Sequence, residues 1–390
     1  ESNFQLRTQE SWDKQANAVH HDETLRSTYG IKSASPLNQL AYFHVSEGAP
    51  SDFCHDFLEG ITPMLMSRVL SDLVAENLFT FQQVADSINN FAYAVVDRKD
   101  KIPAVGNTAA TFKLKFTQGQ MWTFSRLLPL MVSDMIPDGH EKWELILKLI
   151  QVMEYACAPS FSPSEVVYLR DVITEFHEVF EEVYPEEKFK PKQHFTIHYP
   201  TQVENFGPLI HLTTIRFEAK HEQFKDIFRK TKNRKNVTKT LATKHQKRKA
   251  LQHQQENYLG DGIEKVIKSR NTLTLILDDQ IKALLSPRIN HAESVTEASK
   301  VIINGVTYSV GCAVIMSTDT SENHYTFGEV ENIFIVGGSP LLNCNILMHD
   351  GYERHCNAYF LHRTNRYDIL SVSELHDYHP LGIYRVGDCK

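Results

Sequence analysis

Two short segments place carboxylates near histidine at spacings that could support metal chemistry. In the first, PSDFCHDFLEG, Asp52 lies three residues before His55 and four before Asp56. In the second, RFEAKHEQFK, Glu218 lies four residues before Glu222. Carboxylates suit this role because divalent cations such as Mg²⁺ take oxygen ligands. A structural role is the alternative, since Asp52 or Asp56 can cap a helix and Glu218 can be a solvated ion-pair partner.

A third feature is the H-x-x-x-H spacing of His194 and His198. On a helix this spacing aligns both imidazoles on one face, and an irregular turn can also bring them together, so the pair suits zinc. Zinc takes about four ligands, however, and the six cysteines contain no C-x-x-C pair that would complete the site. No Glu follows His194, which excludes the H-E-x-x-H metalloprotease pattern. Two ordinary, partly buried histidines are therefore the alternative.

Positive charge is concentrated in one stretch of the chain. The formal net charge is −7, yet twelve Lys and Arg accompany only two acids between Lys220 and Lys249. Such a run suits phosphate contacts, which give salt-dependent and sequence-independent affinity for nucleic acid. A solvated helix face is the alternative. The residues expected to contact nucleic acid are Lys230, Lys232, Arg234, Lys235, Lys239, Lys244, Lys247, Arg248 and Lys249.

The elements that must position these residues are mostly helical up to about residue 255. Apolar residues recur at three- and four-residue steps from Asp56, which predicts a helix that ends at Asn77. Ser162 and Pro163 have the residue types of an N-cap and a first helical position. A short strand is predicted at YFHV, and a short strand or turn at HFTIHY. The further predicted helices are 80–96, 118–135, 140–157 and 163–183.

The residue pattern changes from helical to strand-like after residue 298. VIINGVTYSV has an Asn-Gly pair between β-branched runs, and IFIVGG, NILMHDG, AYFLH and YDILSV follow at strand length. This pattern predicts a small all-β domain.

Composition limits the class of protein. With 390 residues, of which 42% are hydrophobic and 23% charged, disorder is excluded as the main state. Six scattered cysteines favour a reducing compartment. The most apolar stretch, MWTFSRLLPLMVSDMI, is interrupted by Arg126 and Asp134 and is too short for a membrane span. There is no Gly-rich phosphate loop or nucleophile elbow, so no small-molecule substrate is evident.

The order of five segments resembles the transposase-derived proteins related to CACTA (En/Spm) DNA transposons. The segments are PSDFCHDFLEGI, GQMWTFSRLLPLM, PKQHFTIHYP, GPLIHLTTIRFEAKHEQFK and KTLATKHQ, and the similarity covers about residues 5–255. The resemblance implies an RNase H-like nuclease in which three carboxylates hold two divalent metals, with a helical domain inserted before the last acid. In the family, the second acid lies in a D-x-x-H motif, which Asp52 and His55 match. The last acid lies in an F-E motif, which Phe217 and Glu218 match.

The same resemblance implies groups that this sequence does not supply. The family's first Asp and a C-x-x-C that joins the H-x-x-x-H in a structural zinc site both lie upstream, and neither is found here. No acid in residues 1–51 lies on a convincing strand, so the chain is expected to be truncated just after the cysteine pair. Mg²⁺ or Mn²⁺ at Asp52 and Glu218, and Zn²⁺ at His194 and His198, are therefore ancestral cofactors of incomplete sites.

The resulting prediction is an α+β protein. A remnant of the RNase H-like core is expected in 1–55, the helical insertion in 56–190, the final nuclease segment with its basic helix in 191–255, a link in 256–298 and a small β-barrel-like domain in 299–390. The expected function is transposase-like DNA binding in the nucleus, with metal-dependent strand cleavage and transfer as the ancestral reaction. A non-catalytic derivative that binds nucleic acid or protein, and a helical protein with no nucleic-acid role, are the alternatives. A homo-oligomer is left open, and no membrane partner is expected.

Overall fold

The computed structural model describes residues 7–106, 112–232, 235–254, 263–271, 279–289, 295–319 and 324–385. The chain divides into two compact units. Unit 1 comprises residues 1–76, 111–121 and 139–220, and unit 2 comprises residues 77–110, 122–138 and 221–390.

The described residues contain thirteen α-helices. They are α1 (Gln9–His21), α2 (Arg26–Tyr29), α3 (Val45–Gly48), α4 (Thr62–Ala75), α5 (Phe81–Asn90), α6 (Gln118–Val132), α7 (Glu141–Ala156), α8 (Pro163–Val183), α9 (Pro191–Thr196), α10 (Tyr199–Phe206), α11 (Ile215–Lys230), α12 (Val237–Gln254) and α13 (Asp279–Leu285). Among the helices described, none has the length and apolar character needed to cross a bilayer.

All secondary structure described in unit 1 is helical, and α7 lies in its core. Nine of the sixteen residues of α7 are buried, including Trp143. A helix that is apolar on most of its surface must be surrounded by other elements, and α4 and α8 pack against α7. The prediction of a helix at 163–183 is confirmed, because Ser162 caps α8 in a capping box with Glu165 and Pro163 takes its first position.

The strand predicted at YFHV is not formed, and of the strand or turn predicted at HFTIHY only a turn is found. HFTIHY covers the end of α9, the turn after it and the first residue of α10, where Pro191 occupies the first turn of α9 and Oε1 of Gln193 accepts the Lys190 amide at 2.8 Å. YFHV precedes and enters α3, which begins after His44 caps the amide of Ser46. In both places local capping outweighs the β-propensity of the aromatic and branched residues.

Unit 2 contains an antiparallel sheet of eight described strands. They are β1 (Ile263–Asn271), β2 (Val295–Ile303), β3 (Val306–Ser309), β4 (Ala313–Asp319), β5 (His324–Val336), β6 (Ser339–Glu353), β7 (Ala358–Ser371) and β8 (Asp377–Leu381). The main order is β1-β2-β5-β4-β8, with β3 on β2 and with β6 joining β5 to β7. Together with unit 1 this gives the predicted α+β class.

The sheet confirms the predicted Asn-Gly turn and bears on two further expectations. Asn304 and Gly305 both have positive φ, 50° and 78°, as a type I′ hairpin between β2 and β3 requires. The sheet of described strands is open, so the expected barrel-like closure is wrong. Residues 256–298, expected as a link, contain β1, which pairs with β2 through Val266 and Val301.

Candidate metal sites and basic surface

The first candidate site begins on a π-helix in unit 1. Cys54–Ile61 form this helix, which continues directly into α4. The amide of Thr62 donates to the carbonyl of Phe57, five residues earlier. Pro63 has no amide hydrogen, and its ring would clash with the carbonyl four residues before it, so the regular α-helical bonding cannot continue here. Such π-turns occur frequently at functional sites.

Asp52 lies immediately before this helix and is held by several donors. Its Oδ1 accepts the Cys54 amide at 3.1 Å, so the capping alternative does apply to Asp52. Its Oδ2 lies 2.5 Å from Nδ1 of His55 and also accepts the Thr214 hydroxyl. Burial raises the pKa of Asp52, but the hydrogen bonds from Thr214, His55 and the Cys54 amide outweigh burial and hold the pKa below its usual value.

Glu218 reaches the same place from the first turn of α11. Its amide donates to the Thr214 carbonyl, so the two residues lie on one face of the helix start. Because the Thr214 hydroxyl is bonded to Asp52, this contact directs Glu218 toward the π-helix. Oε1 of Glu218 lies 3.6 Å from Nε2 of His55. The structure therefore brings Asp52 and Glu218 together on the two nitrogens of one imidazole.

A third carboxylate belongs to this group, and sequence reasoning missed it. Oε2 of Glu59 lies 3.6 Å from Nε2 of His55. The signal was present in the sequence, because Asp52, His55 and Glu59 follow one another at three- and four-residue steps and so lie on one face of a helix. We call Asp52, His55, Glu59 and Glu218 the carboxylate site.

The surroundings of the carboxylate site raise the pKa of His55. The hydrogen bond with Asp52 raises the pKa of His55, burial opposes this, and the charges of Asp52, Glu59 and Glu218 raise it further. A lysine lies nearby, Lys192, whose Nζ donates to the His55 carbonyl at 2.5 Å. The acids supply the oxygen donors that Mg²⁺ or Mn²⁺ prefers. The imidazole of His55 lies between these carboxylates, so they are not arranged to bind a metal ion together. Among the described residues, no group of three or more His, Cys, Asp or Glu is arranged to hold a metal.

Asp56 does not have the capping role that the sequence suggested as its alternative. The π-helix has already begun at Cys54, and the Asp56 side chain points into the protein with 8% of the residue exposed. Its Oδ2 is buried and has no hydrogen-bond partner among the described residues. Burial raises the pKa of Asp56 to about 6, with Lys192 opposing the shift.

The predicted zinc ligands His194 and His198 also converge. Their Nε2 atoms lie 3.3 Å apart and their rings are nearly perpendicular. Tetrahedral zinc with Zn–N distances of about 2.0–2.1 Å separates two ligand nitrogens by about 3.3–3.4 Å, so the pair fits two of its four positions. No third ligand completes the group within the described residues. The thiol of Cys54 does not suit zinc, because Cys54 is buried, and burial with the charge of Asp52 raises its pKa to about 12.

The basic stretch in unit 2 forms the end of α11 and all of α12. Phe224 and His245 lie with ring centroids 5.5 Å apart, and they pack the two helices together. On α11, Arg229 pairs with Glu222 and Asp226 at 3.0 and 3.3 Å. On α12, by contrast, no described carboxylate forms an ion pair with Lys239, Lys247 or Arg248.

Most of the cations predicted to bind nucleic acid are exposed. Lys249 is half-buried, and Lys244 donates to the Thr231 hydroxyl at 3.0 Å. Arg234 lies outside the described residues. The exposed cations of the set are Lys230, Lys232, Lys235, Lys239, Lys244, Lys247 and Arg248. We call these seven residues the basic surface.

Comparison with known proteins does not assign this chain to a family. A scan against protein-family models finds no match. A search of curated proteins also finds none. The resemblance to CACTA transposases therefore rests on the five sequence segments.

Proposed function

We propose that this chain is a transposase-related DNA-binding protein whose unit 1 carries the remains of an RNase H-like metal site. The ancestral reaction is metal-dependent cleavage and transfer of DNA strands. The observation that supports this most strongly is the convergence of Asp52 and Glu218 on His55, although 166 residues separate the two acids in sequence. Asp52 and Glu218 are the acids of the D-x-x-H and F-E motifs by which the sequence resembles the transposases.

The chemistry of the proposed site follows from its oxygen ligands. Divalent ions held by carboxylates stabilise the attacking and leaving oxygens of a phosphodiester. In this proposal Asp52 and Glu218 bind the ions, and Thr214 orients Asp52 through its hydroxyl. The side chains of Asp52 and Glu218 are 18% and 59% exposed, so the site is open to solvent and to a bulky substrate on the Glu218 side.

The basic surface supplies the proposed contact with DNA. Its cations are exposed and lack carboxylate partners at Lys239, Lys247 and Arg248 within the described part of the chain, so phosphates can reach them. Such binding does not depend on the DNA sequence, and its affinity falls as the salt concentration rises. A nuclear location follows from a DNA partner and belongs to the same proposal.

A non-catalytic derivative is the second candidate function. It is favoured by the absence of a preformed metal group in the described part of the chain and by the hydrogen bonds that already occupy both oxygens of Asp52. In this alternative the basic surface still binds DNA, and the carboxylate site is only structural.

Nicking of supercoiled plasmid by the full chain, with Mg²⁺ or Mn²⁺, distinguishes the two functions. We expect nicking that Asp52→Asn and Glu218→Gln each reduce by at least about 10–100-fold, the range for losing even an outer-shell partner of a metal. Glu204→Gln, which changes an exposed acid on α10, is the control and should keep full activity. Equal nicking by all variants would contradict the proposed site. Salt-dependent DNA binding without nicking would establish the second candidate instead.

A further inference from the structure

We infer that α12 enters the major groove of duplex DNA and that Thr243 and Gln246 contact the edges of bases there, so that the chain distinguishes between DNA sequences. The inference rests on the DNA binding of the proposed function and deepens it. It is independent of any metal at the carboxylate site.

One side of α12 packs against α11. The ring of His245 lies against Phe224, with centroids 5.5 Å apart, and Lys244 donates to the hydroxyl of Thr231, just after the end of α11. Leu241, four residues before His245, is half-buried. These contacts define the side of α12 that is not available to a partner.

The opposite side of α12 carries uncharged side chains. With 3.6 residues per turn, Thr243, Gln246 and Ala250 lie within about 60° of one another and face away from Leu241 and His245. All three are exposed. We call Thr243, Gln246 and Ala250 the uncharged strip.

Cations border the uncharged strip. The sequence of α12 contains five Lys or Arg and no Asp or Glu. At helical spacing Lys247 lies on one side of the strip and Lys249 on the other, while Lys239 continues it toward the start of the helix. This arrangement complements a duplex groove, which presents phosphates along its two edges and bases between them. The major groove is about 12 Å wide and admits a helix of this kind.

The side chains of the uncharged strip suit base edges. A Gln amide can donate to N7 and accept from the N6 amino group of the same adenine, a Thr hydroxyl can bond to several bases, and an Ala methyl can contact the methyl of thymine. Among the described residues, no group is hydrogen-bonded to the side chain of Thr243 or Gln246. These two side chains are therefore available to bases, and Gln246 favours an A·T pair.

Binding through phosphates alone is the competing explanation. Uncharged polar residues are common on solvated helices, and in that case Thr243 and Gln246 contribute nothing to the choice of sequence. All duplexes of equal length then bind the chain with similar affinity at a given salt concentration.

Selection of bound duplexes from a random-sequence DNA library by the full chain separates these explanations. We expect an enriched site that contains an A·T pair, at which the wrong base pair weakens binding by about fivefold or more. Gln246→Ala and Thr243→Ala should each relax the preference at one position. The matched control is Thr238→Ala, which alters an exposed hydroxyl of α12 outside the strip and should retain the enriched site. None of these changes removes a charge, so the salt slope should stay the same.

A change in the DNA tests the contact of Gln246 without altering the protein. Replacing the enriched adenine by 7-deazaadenine removes the N7 acceptor, and we expect the unchanged chain to bind about fivefold or more weakly. The same replacement should have no further effect on Gln246→Ala, because the contact is already lost. Duplex RNA of the same sequence should compete at least about tenfold less well, since its narrow, deep major groove does not admit side chains.

The outcomes that overturn the inference differ from those that overturn the proposed function. Salt-dependent binding with no enriched site, an enriched site that Gln246→Ala and Thr243→Ala leave unchanged, or equal competition by duplex RNA would contradict the inference and leave the basic surface as a phosphate-binding surface. If the full chain binds no duplex DNA, both the inference and the DNA binding of the proposed function are wrong.

Discussion

Asp52 and Glu218 lie against opposite nitrogens of one imidazole, with Oδ2 of Asp52 2.5 Å from Nδ1 of His55 and Oε1 of Glu218 3.6 Å from Nε2. Their separation therefore cannot exceed these two distances plus the width of the ring. Thr214 links them a second time, since its hydroxyl donates to Asp52 and its carbonyl accepts the Glu218 amide. A change of the Thr214 side chain should consequently act on Asp52, whereas the backbone bond to Glu218 remains.

Replacing Thr214 with Val tests this link. The change removes a hydrogen bond to a charged group, so we expect a loss of about 1.5–3 kcal/mol in unfolding free energy at pH 7. Because the pKa of Asp52 is lowered, its contribution is present above the unfolded pKa of about 3.9 and is lost as pH falls through the folded value. The two proteins should therefore converge in stability at low pH. Urea unfolding at several pH values measures this, with Thr174→Val, which alters an exposed hydroxyl on α8, as the control.

Asp56 should produce the opposite pH dependence. Its pKa is raised to about 6, so its stabilising effect is present below the unfolded pKa of about 3.9 and is lost as pH rises to about 6. Asp56→Asn cannot ionise, and we expect it to be more stable than the unchanged chain by about 1–3 kcal/mol at pH 7 but not at pH 4. Asp171→Asn, at an exposed position on α8, should show no such difference. A constant effect of Asp56→Asn across this range would contradict the assignment.

His194 and His198 should bind zinc weakly. Two of four ligand positions leave the remaining coordination to water, so equilibrium dialysis should give low affinity and less than one ion per chain. His198→Ala should abolish this binding, whereas His21→Ala, at the exposed end of α1, should not. Tight one-to-one binding by the unchanged chain would mean that further protein ligands complete the site.

The basic surface should give a measurable salt dependence of DNA binding. If five or six cations reach phosphates, the slope of log affinity against log salt is about −4 to −5. Replacing Lys247, Arg248 and Lys249 by Ala should reduce its magnitude by about 0.9 for each phosphate that is no longer neutralised, or up to about 2.7. Fluorescence anisotropy with a short duplex measures the slope. The matched control replaces three exposed cations elsewhere, Lys99, Arg170 and Lys188, and an equal effect of both triple changes would show that only net charge matters.

Periodicity predicted the long helices well, because burial of one apolar face depends on local spacing. The helix at 163–183 has the predicted bounds, and the helix from Asp56 ends where Asn77 adopts a positive φ of 64°. Short capped helices were harder to predict. In α9, the fixed φ of Pro191 and the hydrogen bond from the Lys190 amide to Gln193 outweigh the strand-like composition of HFTIHY.

The carboxylate site could be predicted only in part. Asp52 and Glu218 emerged from family-like segments, but neither spacing nor composition reveals that Thr214 would connect them. The π-helix was missed because its cause, Pro63 within a continuous helical pattern, usually indicates a helix start. Glu59 was overlooked although its spacing from His55 was visible, and only the fold brings Glu218 to the same imidazole nitrogen.

Locating Mn²⁺ in crystals of the full chain by anomalous diffraction tests the metal site most directly. We predict an anomalous peak between the carboxylates of Asp52 and Glu218, with the His55 imidazole turned away from them, and no peak there in Asp52→Asn crystals. A peak at His194 and His198 alone, or an imidazole still lodged between the two acids at saturating Mn²⁺, would contradict the proposed site.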